Sequence, residues 1–137
     1  MTGNPTCKRR ILVVDDEPLV CETVTLLLQF DGHQVETASS GQEALALFKP
    51  GKFDLIFTDF FMPTMTGGDL AVAIKTRAPS QPVVLLTAYS ERFRSPNYPL
   101  SGVDFIVDKP LPVGALREAI DKFAPAQNRS LQRFNMD

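Results

Sequence analysis

Ile11-Leu12-Val13-Val14, running directly into Asp15-Asp16, is the stretch whose reading decides the fold. An unbroken apolar run rich in β-branched residues reads as a strand buried on both faces, as in a parallel sheet. Acids at the C-terminal end of such a strand stand where open α/β sheets place their working sites. Side by side the two carboxylates repel each other, and their commonest use is to hold a hard cation such as Mg²⁺. The pattern recurs along the chain. Leu55-Ile56-Phe57-Thr58 runs into Asp59, Val83-Val84-Leu85-Leu86 into Thr87, and Phe105-Ile106-Val107 into Asp108-Lys109. Strand ends therefore bring acids, a hydroxyl and an ammonium toward one edge.

Helical signals alternate with these strands. Pro18 suits a first helical position, Val20, Val24, Leu27 and Leu28 recur at helical spacing, and Asp31-Gly32 ends the helix. Val35 to Ala38, mixed polar and apolar, reads as an edge strand. Ser40 to Glu43 has the form of a capping box, with Ala44, Leu45 and Phe48 as the apolar face and Pro50-Gly51 as the stop. Thr66-Gly67-Gly68-Asp69 opens a third helix with Leu70, Ala73 and Ile74 inward; Leu116, Ala119, Ile120 and Phe123 mark a last one. Five β-α units with crossover helices predict a doubly wound, five-stranded parallel sheet covered on both faces. Between strands four and five, Pro96 and Pro99 fall inside the segment that should hold a helix, Ser90 to Gly102. Each removes a donor and clashes with the preceding turn, so a short or irregular fourth helix is expected.

The 137 residues suit one domain, with residues 1–9 as an N-terminal tail, 10–124 as the domain and 125–137 as a flexible C-terminal tail. A 44% apolar and 22% charged composition is ordinary for a globular chain, and a net charge of -2 gives no basic footprint for nucleic acid. Cys7 and Cys21 make no disulfide framework. With no membrane-spanning run and no signal-peptide core at the start, a cytoplasmic setting is expected. His33 has no acid or cysteine beside it and reads as a surface loop histidine.

If Asp15, Asp16 and Asp59 converge, they cannot all ionise without compensation. Mg²⁺ or Mn²⁺ would supply it, and Lys109 would add a point charge. Such a pocket invites a phosphoryl group. Asp59, already deprotonated at neutral pH, would attack phosphorus and form an acyl phosphate with no general base. Thr87 and the backbone N–H of Ala88 would hold the phosphoryl oxygens.

Four segments now carry a resemblance: Val13-Val14-Asp15-Asp16-Glu17, Asp59 through Gly67, Leu86-Thr87-Ala88, and Asp108-Lys109-Pro110. Singly they are weak; together, in this order and spacing, the chain from Arg10 to Ala124 resembles a receiver domain of the bacterial two-component response regulators. The resemblance implies a flavodoxin-like sheet with strand order 2-1-3-4-5. It implies Mg²⁺ held by Asp15, Asp16, Asp59 and the Phe61 carbonyl, and Asp59 as the acceptor from a histidine kinase or phosphotransfer protein. Thr87 would be the switch hydroxyl, Lys109 the phosphate partner, and Lys109-Pro110 a cis peptide, with Pro110 and position 106 in the switch region. At position 106 the family often carries Tyr or Phe, where this chain has Ile106. Phe105 faces the other side of a strand and cannot replace that ring. The expectation that follows is signalling by local ordering of Ser90 to Val107 on phosphorylation. Phe61, close to the acceptor, is expected to hinder the hydrolytic water, so that Phe61→Asn shortens the phosphorylated lifetime. Such a domain is a regulator, not an enzyme. Its output would pass to a downstream protein target, along a relay, through a phosphorylation-dependent homodimer, or through further domains of a longer chain.

Rival readings meet specific obstacles. A flavin or nucleotide binder on this fold would want a Gly- or Ser-rich loop after strand one, where this chain has Asp15-Asp16-Glu17. An aspartyl phosphatase would need a cap and an acid for the leaving group. A receiver that no longer takes phosphate would have lost part of the acidic and basic set. Taken alone, Asp15-Asp16 reads equally as a solvated helix start and Asp59 as a turn acid, and Lys109 alone reads more readily as a surface lysine.

Overall fold

The structure, a computed structural model, describes residues 8–88, 100–109 and 113–123. In chain order they form β1 (Arg10–Val14), α1 (Pro18–Phe30), β2 (Gln34–Ala38), α2 (Gly41–Leu47), β3 (Leu55–Asp59), α3 (Gly67–Arg77), β4 (Val83–Thr87), β5 (Phe105–Asp108) and α4 (Val113–Asp121). The strands make one parallel sheet in the order β2-β1-β3-β4-β5. This is the doubly wound, flavodoxin-like arrangement expected from the pattern and the resemblance.

Alternation along the strands divides the core into two layers. Ile11, Val13, Leu55, Phe57, Val84, Leu86 and Val107 face α1 and α4, where Val24, Leu28, Leu116, Ala119 and Ile120 meet them. Leu12, Val14, Ile56 and Val83 face α2 and α3, against Ala44, Phe48, Leu70, Ala71 and Ile74. The central strands read as apolar runs because both faces are covered; β2, at the edge, keeps Glu36 and Thr37 exposed. Burying one Leu or Ile side chain contributes about 1.5–3 kcal/mol, so these two layers dominate the stability.

The helix ends follow local chemistry. Pro18 opens α1, and Gly32 (φ 92°) lets the chain turn after it. Thr66 and Asp69 form a reciprocal capping box at the start of α3. At α2 only half of the expected box forms. Ser40 Oγ accepts the Glu43 N–H at 3.1 Å, but the Glu43 carboxylate reaches back to Ser39, accepting its N–H at 2.8 Å and its hydroxyl at 2.9 Å. On α3 the rotation buries Ala71 fully and leaves Ala73 half-buried, because Leu70, Ala71 and Ile74 make the stripe that meets the sheet.

His33 is a correction. It is buried, not a surface loop residue, because its Nδ1 accepts the Arg9 N–H at 3.0 Å and draws the ring against the entry to β1. Arg9, on the boundary of the N-terminal tail, is buried with it. Of the segment from Ser90 to Gly102, residues 90–99 lie outside the described residues, as do Pro96, Pro99 and both chain ends. Gly102 (φ 108°) packs its α-carbon against the backbone of Ala71, a contact that leaves little room for a side chain. No helix among the described residues is long and apolar enough to cross a membrane.

Candidate functional site

The strand order reverses direction between β1 and β3, and open α/β sheets form a crevice beyond the strand ends at such a point. Asp15 follows β1 and Asp59 ends β3, so the topology alone sets them side by side. Oxygen atoms of Asp15, Asp16 and Asp59 lie within 4.8 Å of one another. Asp15 is buried, Asp59 half-buried and Asp16 exposed, which leaves the group open to solvent on one side.

Lys109 follows β5 and reaches across the end of β4. Its Nζ donates to Asp15 Oδ2 at 3.0 Å and to Asp59 Oδ1 at 3.4 Å. The Lys109 N–H is fixed to the Thr87 carbonyl at 2.9 Å, so the stem starts from a defined point. One ammonium thus serves two acids, and a third stands beside them. With all three acids ionised, the cluster keeps an excess of negative charge that a divalent cation would neutralise. All-oxygen donors of this kind fit Mg²⁺, which binds through one or two carboxylates and keeps several waters.

The electrostatics agree with that crowding. Burial pushes the Asp59 carboxyl above its ordinary value and the Asp15 charge adds to it, while Lys109 pulls it back. For Lys109, burial disfavours the cation, but the hydrogen bond to Asp15 and the charges of both acids outweigh it and raise its value. Asp15 is oriented by its neighbours: Oδ1 accepts the Glu17 N–H at 2.9 Å, and its carbonyl accepts the Cys21 thiol at 3.3 Å. Burial, followed by the Asp15 charge, pushes that thiol up and keeps it protonated.

The loop after β3 is held tightly. Gly67 donates its N–H to the Phe60 carbonyl at 2.9 Å, and a Cβ at Gly67 would collide with the Asp59 carbonyl oxygen. Gly67 is therefore the residue that allows α3 to start against the backbone of Asp59. The sequence marks Gly67 as part of a helix opening and as the end of the Asp59 to Gly67 segment that carries the resemblance, without giving it this role; a doubled glycine between a cap residue and a helix was the available signal. Thr64 adopts φ 74°, an uncommon conformation for a β-branched residue.

The remaining predicted positions sit around this cluster. Thr87 ends β4 and is fully buried, and Ala88 follows it, exposed. Phe61 is 41% exposed on the loop that leaves Asp59, its ring edge-on to Phe60 with centroids 4.9 Å apart. Ile106 is half-buried on β5 opposite Leu85, whereas Phe105 packs on the α1/α4 layer and takes the Lys122 ammonium over its ring at 4.9 Å. Pro110, and with it the expected cis peptide, lies outside the described residues. Beside the acids, a cleft of about 460 Å³ runs between α1, the end of β2 and α2, with Asp15, Cys21, Leu26 and Glu43 among its lining residues.

Known proteins resemble this chain in sequence and fold. Residues 11–121 match the response regulator receiver domain family. The chain is 36% identical over 121 residues to the aerobic respiration control sensor protein ArcB of Escherichia coli, a match over 86% of this chain and 15% of that protein. Among solved structures, a response regulator receiver domain protein from Clostridium thermocellum superposes with a TM-score of 0.78 at 32% identity, covering 90% of this chain and 97% of the other. The response regulator TrrA of Thermotoga maritima, in complex with Mg²⁺–BeF, superposes at 0.76 with 38% identity, covering 83% and 97%. The chain thus spans a small part of the sensor protein and almost all of the two receiver structures.

Proposed function

The chain belongs to the response regulator receiver domain family, and on that premise we propose that Asp59 is its phosphoacceptor, working with a divalent metal ion at Asp15, Asp16 and Asp59. A receiver is a phosphoacceptor regulatory domain, not a conventional enzyme, and its general partner is a histidine kinase. The observation that carries the assignment to these residues is the convergence of three carboxylates with Lys109 between two of them. The Mg²⁺–BeF complex of TrrA supports the same reading.

In the reaction, a carboxylate oxygen of Asp59 attacks phosphorus of a phosphohistidine. The P–O bond forms as the P–N bond breaks, and the departing imidazole takes a proton from solvent. Mg²⁺, held by Asp15, Asp16, Asp59 and the Phe61 carbonyl, would neutralise charge on the phosphoryl oxygens. Lys109 turns from Asp59 to the transferred group. The Thr87 hydroxyl and the Ala88 N–H bind its oxygens, and Thr87, Ile106 and Pro110 carry the change outward to a protein target. Phe61 stands on the rim of the acceptor, where its ring limits the approach of water. The donor, a kinase or a phosphotransfer protein, meets α1, which exposes Leu19, Leu26 and Phe30 and lines the cleft with Leu26. Leu26→Asp should slow transfer from the donor protein and leave the reaction with acetyl phosphate unchanged; equal rates from both donors would remove α1 from the contact.

The test uses beryllofluoride as the phosphoryl mimic. With Mg²⁺, the amide resonances of Thr87, Ala88 and Lys109 should shift in the wild type and stay in place in Asp59→Asn. Unmoved resonances in the folded wild type would defeat the assignment.

A further inference from the structure

The chain's single histidine sits at the end of the sheet opposite Asp59, in the turn from α1 to β2. His33 is 9% exposed. Its Nδ1 accepts the Arg9 N–H at 3.0 Å, and the His33 backbone N–H donates to the Leu28 carbonyl at 3.1 Å. The Arg9 carbonyl accepts the Gln34 N–H at 2.9 Å, and Arg9 Nη2 donates to the Phe123 carbonyl at 3.5 Å. His33 therefore ties the end of α1, through its backbone, to the chain entering β1, through its ring, and by way of Arg9 to the residues that follow α4.

An imidazole that accepts at Nδ1 carries no proton there; the imidazolium is a donor at both nitrogens. Adding that proton turns the acceptor toward Arg9 into a second donor and leaves a buried N–H without its partner. Charged groups around the ring act in both directions. Arg9, on the approach to β1, opposes the cation; Asp31 at the end of α1, Asp54 before β3 and Asp121 on α4 favour it. Two of those acids are already engaged, Asp31 with Arg117 at 2.7 and 2.9 Å and Asp54 with Arg10 at 3.3 Å. Burial of the ring outweighs the rest and holds the imidazole below its usual range.

We propose that His33 is a proton-operated clasp: protonation of Nδ1 releases the Arg9 N–H and loosens the junction between the entry to β1, the end of α1 and the end of α4. The sign follows from linkage. A histidine whose folded value is depressed contributes stability above its unfolded value, near 6.5, and that stability is lost as pH falls toward the folded value. The clasp is remote from the acid cluster and acts whether or not Asp59 carries phosphate.

Because the chain has one histidine, its imidazole resonances titrate without ambiguity. The experiment follows them in the full chain from about pH 7.5 to about pH 5.0, together with protection of the Arg9 amide against hydrogen exchange. The expected result is a midpoint below 6.5 and a protection factor that falls by up to about tenfold per pH unit between 6.5 and that midpoint, then levels off. His33→Asn sets a non-titrating carbonyl oxygen near the place of Nδ1 and should hold the Arg9 protection level over the same range. Level protection in the wild type, or an equal fall in His33→Asn, would overturn the proposal. If that variant does not fold, the wild-type curve decides alone: a midpoint at or above 6.5, or Arg9 protection that does not track the midpoint, refutes it.

Discussion

Compare Asp54, where the chain enters β3, with Asp59, where it leaves. Asp54 is 4% exposed, and both its oxygens are taken: Oδ2 by the Arg10 N–H at 2.8 Å and Nε at 3.4 Å, Oδ1 by Nη2 at 3.3 Å. Asp104, before β5, is fixed in the same manner by the Val83 N–H at 2.8 Å and Lys75 at 2.7 Å. Asp59 shares one ammonium with Asp15, and Asp16 stands beside them both. The difference is between acids each matched by its own partners and acids crowded around one shared lysine. Where a backbone N–H and a dedicated cation meet a carboxylate, its charge ties strands together. Where carboxylates crowd around a shared lysine, the fold retains a repulsion that an incoming cation would relieve.

Breaking the first kind of acid should have the largest effect. Asp54→Ala leaves the Arg10 N–H without its acceptor and should cost about 2–3 kcal/mol in urea denaturation. A loss under about 0.5 kcal/mol, the size of an ordinary surface substitution, would erase the contrast. The second kind should respond to metal. Mg²⁺ at about a hundred times its dissociation constant should raise stability by about 2.7 kcal/mol, and chelation should reverse the gain. Asp15→Asn should shrink the gain; a gain of full size in that variant would separate metal binding from the cluster.

The smallest expected effect has the opposite sign from the first. Asp59→Asn removes a carboxylate whose ionisation the fold disfavours, so without metal it should raise stability by about 1 kcal/mol at neutral pH. The raised folded value of Asp59 means that its favourable contribution exists below the ordinary value of 3.8 and is lost as pH rises through the folded value. The gain from Asp59→Asn should therefore be greatest near neutrality and fade on acidification. Urea melts at two pH values check this; a gain that grows in acid would contradict it.

How much of this was legible in the sequence depended on the distance between cause and effect along the chain. β1, β3 and β4 were readable because strands covered on both faces must be continuous apolar runs. The convergence of Asp15, Asp59 and Lys109 was readable because acids and a lysine at successive strand ends of a parallel sheet have one edge to share. Burial of His33 was not readable, since its partner Arg9 lies 24 positions away and only the β1–β2 pairing brings them together. The Glu43 carboxylate chose Ser39 over Ser40, a difference of one residue that motif spacing cannot resolve. The tight seat of Gly67 against Asp59 arises from the path of the loop, which no local pattern encodes.

The central claim is that Asp59 takes a phosphoryl group, and the most direct measurement is intact mass after incubation with acetyl phosphate and Mg²⁺, beside Asp59→Asn and a chelated control. The account predicts one phosphoryl adduct on the wild type, absent from both controls. A folded wild type that stays unmodified, or an adduct that persists in Asp59→Asn, would contradict it.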